Sequence, residues 1–75
     1  MEKIIEILEN LKPGIDFKNE KGLISNAILT SMEIVQLVME LNDAFDIEIS
    51  PMDILPENFE SIECINKLVE KYLDE

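Results

Sequence analysis

The residue best placed for chemistry is Ser31, in the run Thr30-Ser31-Met32-Glu33. That run has the form of a capping box, in which the Thr30 hydroxyl accepts from the Glu33 N–H and the Glu33 carboxylate reaches back to the Thr30 N–H. Thr30 therefore does the capping, and the Ser31 hydroxyl is left free to face solvent at the first turn of a helix. The positive end of the helix dipole there would favour an attached phosphodiester by a few tenths to about 1 kcal/mol. Serine at a helix start is also ordinary, so this position alone decides nothing. A nucleophilic enzyme would need a base beside the serine, and the chain has no His and no Arg to supply or support one. The expectation is of a protein that is not an enzyme. Cys64 is the only cysteine; it falls within a predicted last helix beside the buried stripe and has no obvious basic neighbour to activate it, so it reads as structural. No stretch has the spaced acidic ligands, central Gly and terminal Glu of a calcium loop, and no metal site is expected.

A second constellation surrounds Ser31. On a wheel at about 100° per residue, Met32, Gln36, Met39 and Asp43 share a face opposite Leu41 and Phe45. The two methionines lie two turns apart, flanked by Glu33, Glu40 and Asp43. Exposed thioethers give shape-tolerant apolar contact and the acids steer toward a basic partner, so Met32, Glu33, Gln36, Met39, Glu40 and Asp43 form a candidate docking face. The bland reading is that the methionines cover the edge of the core.

The elements that must position these residues are helical. Ile4, Ile5, Leu8 and Leu11 recur at spacings of three and four over Glu2–Leu11, and Pro13-Gly14 stops the run. From Ile15 to Leu29 no period is sustained; a loop of about 15 residues is uncommon in a compact domain unless functional, and Phe17, Leu23, Ile24 and Ile28 are expected to pin it over the core. The second helix is predicted over Ser31–Phe45, its stripe being Ile34, Leu37, Val38, Leu41 and Phe45, with Asp46 as a left-handed cap. Ile47-Glu48-Ile49 is an extended connector, and Ser50-Pro51-Met52-Asp53 opens a short third helix that Pro56 ends. Phe59 anchors the next turn, and Ser61 precedes a last helix with the stripe Ile62, Ile65, Leu68, Val69 and Tyr72. Glu57, Glu60 and Glu63 read as a solvated face. The fold class is thus all-α: a four-helix bundle with a long first loop and a short third helix.

Composition bounds what such a bundle can do. Seventy-five residues, 47% of them apolar, suit one domain over 1–75 and leave no room for a second core. Seventeen acidic residues against six lysines give a formal charge of −11, which repels nucleic acid and anionic membrane surfaces and favours basic partners. No apolar run approaches the roughly 18 residues that span a bilayer. The single cysteine and the start Met-Glu-Lys, without a positive stretch and long apolar run, lead to the expectation of a soluble cytoplasmic monomer.

The segment LTSMEIVQLVMELNDAFDIEI resembles the acyl carrier protein family, whose signature is Asp-Ser-Leu or Asp-Ser-Met opening the second helix of a four-helix bundle and running to a Phe-Gly-Ile-Glu-Ile-like end. The order of elements matches over nearly the whole chain. The resemblance implies that Ser31 carries a 4'-phosphopantetheine arm derived from coenzyme A and attached by a phosphopantetheinyl transferase. It also implies that Met32 and Met39 occupy exposed apolar docking positions and that Glu33 and Asp43 match acidic contact positions for loading and downstream enzymes. Thr30 replaces the family's Asp, Gln36 a frequent acid and Asp46 a frequent Gly. Ser-Met after Leu29 looks more like D-alanyl carriers and free-standing carriers of specialised acyl or aminoacyl pathways than a housekeeping fatty-acid carrier. Fatty acid, polyketide, nonribosomal peptide and D-alanylation pathways all remain open at this point. The alternative is an interaction module of the same shape that is never modified.

Overall fold

Helix α1 (Glu2–Leu11) opens the computed structural model of the chain, which describes residues 2–74; Met1 and Glu75, the ends of the expected 1–75 domain, lie outside the described residues. Its core face is Ile4, Ile7 and Leu8, with Ile5 and Leu11 half-buried at the edges. The sequence pattern had put Ile5 on that face and omitted Ile7; the helix is turned so that the i, i+3, i+4 set Ile4, Ile7, Leu8 points inward. Gly14, at φ +92°, makes the reversal after Pro13 in a conformation that a side chain would strain.

The loop that follows is anchored as expected. Phe17, Leu23 and Leu29 are buried in the core, and Ile24 and Ile28 pack half-buried against it. Helix α2 (Ser31–Phe45) buries Leu37, Val38 and Leu41, with Ile34 and Phe45 half-buried on the same stripe. It ends at Asp46, whose left-handed backbone (φ +54°) directs its N–H to the Asn42 carbonyl. The Asn42 side chain then accepts from the Ile49 N–H at 2.9 Å, fixing the extended connector so that Ile49 enters the core.

Beyond Ser50 the expected short third helix is not an α-helix. Two 3-10 turns occupy its place, Pro51–Asp53 and Pro56–Asn58, closed by i→i+3 bonds such as Asp53 N–H to Ser50 O and Phe59 N–H to Pro56 O. The cause lies in the two prolines: Leu55, which precedes Pro56, is driven out of the helical region to φ −112°, ψ 143°, leaving too few residues after Pro51 for an α-helix to form. Helix α3 (Ile62–Leu73) is capped by Ser61, whose hydroxyl accepts from the Cys64 N–H, and buries Ile62, Ile65, Leu68 and Val69. The described residues therefore form three α-helices and two 3-10 turns, and no strand. All three helices contribute to one apolar core, and Phe59, just after the second 3-10 turn, is fully buried in it.

Candidate functional site

At the head of α2 both halves of the predicted capping box are present. The Thr30 N–H donates to Glu33 Oε1 at 2.9 Å and the Glu33 N–H donates to Thr30 Oγ1 at 3.3 Å. Lys12 ties this turn to the loop before it, donating from Nζ to the Ile28 carbonyl and reaching Glu33 Oε1 at 3.4 Å. The Thr30 N–H above all, then Lys12, holds the Glu33 carboxyl below its ordinary value of 4.5, against the opposing effect of burial. Ser31 is exposed, and its hydroxyl makes no hydrogen bond among the described residues. It is a primary alcohol at a helix N-terminus with no base hydrogen-bonded to it among the described residues. Such a group can carry an ester to phosphate but is not activated by its own chain.

Beside Ser31 lies an apolar groove of about 240 Å³, lined also by Ile34, Val35, Ile54, Leu55, Pro56 and Phe59. Sequence reasoning missed the exposed part of this wall, Val35 and Leu55. Val35 could have been found, being the i+4 neighbour of Ser31 on the same helix face. Leu55 owes its place to the 3-10 turns, which leave no periodic signal.

The docking candidates divide. Met32 (71% exposed) and Met39 (66%) stand out from α2, and Gln36, Glu40 and Asp43 are exposed with them. Gln36, Met39 and Glu40 line one side of a second groove, about 330 Å³, whose other side is Ile7, Asn10 and Leu11 of α1. Met32 and Asp43 line neither groove. Glu33 differs from the rest: it is half-buried, and its carboxylate is engaged by Thr30 and Lys12.

The expected solvated face of Glu57, Glu60 and Glu63 needs correction at Glu60. One of its carboxylate oxygens, Oε1, accepts from the Ile24 N–H at 2.9 Å and the Ser25 N–H at 2.8 Å, while Oε2 accepts from the Ser25 hydroxyl at 2.7 Å. Its backbone carbonyl accepts from the Leu23 N–H at 2.8 Å. The Ser25 N–H, then the Ser25 hydroxyl and the Ile24 N–H, lower the Glu60 carboxyl below 4.5. A side chain 35 positions away thus grips the loop, a contact that no local pattern encodes. Glu63 pairs with Lys21 at 2.7 Å on the surface, and Glu57 is exposed.

Cys64 is half-buried, its sulfur accepting from the Ser61 hydroxyl at 3.3 Å. Cys64 and Lys67, one helical turn on, line one open cavity with Asp53, Asn58 and Leu68. No group of three or more acidic, His or Cys side chains among the described residues could hold a metal ion, and no helix of the described residues is long and apolar enough to cross a membrane.

Residues 3–71 match the family model described as a phosphopantetheine attachment site. The D-alanyl carrier protein of Lactococcus lactis subsp. cremoris is 30% identical over 76 aligned residues, covering 99% of this chain and 96% of that protein. Aminoacyl carrier protein 1 of Bradyrhizobium diazoefficiens is 42% identical over 41 residues, covering 55% of this chain and 46% of that protein. No significant match is found among solved structures.

Proposed function

The chain belongs to the carrier family defined by a phosphopantetheine attachment site, and on that premise we propose that it is a single carrier domain over 1–75 whose Ser31 takes the covalent 4'-phosphopantetheine that is the family's cofactor. The observation that carries the assignment of Ser31 is its exposed, uncommitted hydroxyl at the start of a 15-residue helix whose capping is done by Thr30 and Glu33. When bound, the cofactor supplies the thiol on which an acyl or aminoacyl group is carried as a thioester. The work of this chain is to present and to orient. The α2 N-terminus favours the phosphodiester, and the groove formed by Val35, Ile54, Leu55 and Phe59 offers apolar surface next to it. With no base at Ser31, removal of its proton falls to a phosphopantetheinyl transferase. Met32, Gln36, Met39, Glu40 and Asp43, with the charge of Glu33 at their edge, are the face offered to that enzyme and to loading and downstream enzymes with basic docking surfaces.

The likeness to D-alanyl and aminoacyl carriers supports an aminoacyl or specialised acyl cargo. Intact mass spectrometry of the protein isolated from its native host under conditions that preserve thioesters tests this reading. The expected mass is that of the chain plus the arm plus an aminoacyl or short acyl group. A chain that is unmodified in the host would instead support a noncovalent interaction module of the same fold.

A further inference from the structure

Glu60 does more than hold the loop down. The buried side chains of Phe17, Leu23 and Leu29 already tie the loop to the core. What the Glu60 carboxylate fixes is the exposed crest, through both backbone N–H groups at Ile24 and Ser25 and through the Ser25 hydroxyl. From that crest the backbone turns back sharply. Ala27 is held at φ +56°, a left-handed conformation rare for a residue with a side chain, by its N–H bond to the Ile24 carbonyl. Ile28 and Leu29 then both donate to the Leu23 carbonyl, at 3.0 and 2.9 Å, and Leu29 is two residues from Ser31. The Glu60 carboxylate therefore fixes the first part of the surface Ser25–Ala27 that leads into Ser31, while Asn26 is held separately, by its N–H to the Gly22 carbonyl at 2.8 Å and by its side-chain amide to Glu20 Oε1 at 3.0 Å.

We propose, resting on the assignment of Ser31 as the attachment point, that Glu60 is a positioning residue for phosphopantetheinylation: by fixing Ile24 and Ser25, where the crest Ser25–Ala27 begins, it shapes the surface that the transferase meets at the head of α2. The effect is on recognition, since Glu60 touches neither Ser31 nor the transferred group. What matters is the reach of Oε1 to two N–H groups, not the negative charge. A glutamine keeps one side-chain oxygen at the same reach, whereas an aspartate keeps the charge and loses a methylene of length.

The test is steady-state kinetics of a transferase with coenzyme A and Mg²⁺, varying the carrier, for wild type and for Glu60→Ala, Glu60→Asp and Glu60→Gln, with helical CD recorded at the assay temperature. Glu60→Ala and Glu60→Asp should raise KM for the carrier by about tenfold, with kcat nearly unchanged. Glu60→Gln should stay near wild type. Amide exchange should quicken at Ile24 and Ser25 in the Ala and Asp variants only. Should Glu60→Ala fail to fold, the Asp and Gln pair carries the same contrast. Wild-type kinetics in Glu60→Asp, or a Glu60→Gln variant as poor as Glu60→Ala, overturns this inference while leaving Ser31 as the attachment point. A wild-type chain that accepts no phosphopantetheine sinks the assignment of Ser31 and this inference with it.

Discussion

Thr30 and Glu33 hold each other across the first turn of α2, the Thr30 N–H giving to the Glu33 carboxylate at 2.9 Å and the Glu33 N–H to the Thr30 hydroxyl at 3.3 Å. Ser31 lies between them and takes no part. The two neighbouring hydroxyls should therefore differ in what their loss does. Thr30→Ala removes a cap and is expected to cost about 1 kcal/mol. Ser31→Ala, an exposed substitution, is expected to cost no more than a few tenths, or about 0.5 kcal/mol at most. Chemical denaturation of the two variants checks the difference, and equal losses would mean that Ser31 has a structural role after all.

A second prediction concerns acid. The Glu60 carboxyl is lowered by Ser25 and Ile24, and that of Glu33 by Thr30 and Lys12. A carboxyl with a depressed folded pKa contributes stability that is fully present above its unfolded value, here 4.5, and is lost as pH falls through the folded pKa. Carbon-detected NMR titration of the side chains should give midpoints below 4.5 for both residues. Ser25→Ala should move the Glu60 midpoint upward and leave that of Glu33 in place.

How much of this site is legible in the sequence depends on the range of the contact. The capping box, the left-handed Asp46 and the stripes of α2 and α3 are encoded within a few residues and follow from spacing alone. Exposure of Met32 and Met39 follows from the same wheel. The 3-10 turns depart from the expected helix because Pro56 constrains Leu55, an effect visible only if the residue before proline is weighed along with the proline itself. Glu60 gripping Ile24 and Ser25, Lys12 bonding Ile28, and Tyr72 donating to Asp53 while accepting from the Ser50 N–H join segments 16 to 36 positions apart. Contacts of that kind depend on how the helices pack, and they carry no period.

The docking face gives a third prediction. Met39→Ala and Asp43→Lys should each slow loading by basic partner enzymes while leaving helical CD and melting temperature nearly unchanged, because both side chains are exposed and make no hydrogen bond or ion pair among the described residues. Glu33 is unsuitable for this test, since its carboxylate also holds Thr30 and Lys12. Unchanged loading rates in both variants would place the docking surface elsewhere.

Charge supplies a fourth. A formal charge of −11 on 75 residues, which already counts the six lysines, is self-repelling; among the described residues Lys12–Glu33, Lys21–Glu63 and Lys71–Asp53 form ion pairs. Stability should lie near the low end of the roughly 4–11 kcal/mol expected for this length. The melting temperature should rise between low salt and about 0.5 M NaCl, where the screening length falls to a few Å. A melting temperature that ignores salt would contradict this account of the acidic surface.

The central claim, that Ser31 is where the cofactor is joined, is tested most directly by mass. The purified chain is incubated with coenzyme A, Mg²⁺ and a transferase of broad specificity, and the intact protein and its peptides are then weighed. Wild type should gain one phosphopantetheine, mapped to the peptide containing Ser31. Ser31→Ala should gain none while remaining folded, and Thr30→Asp should react at least as fast as wild type, because it restores the family's acid beside the serine while keeping an oxygen able to cap α2. Wild type and Thr30→Asp both left unmodified by several transferases of different breadth, or an arm mapped to any peptide without Ser31, would contradict the claim.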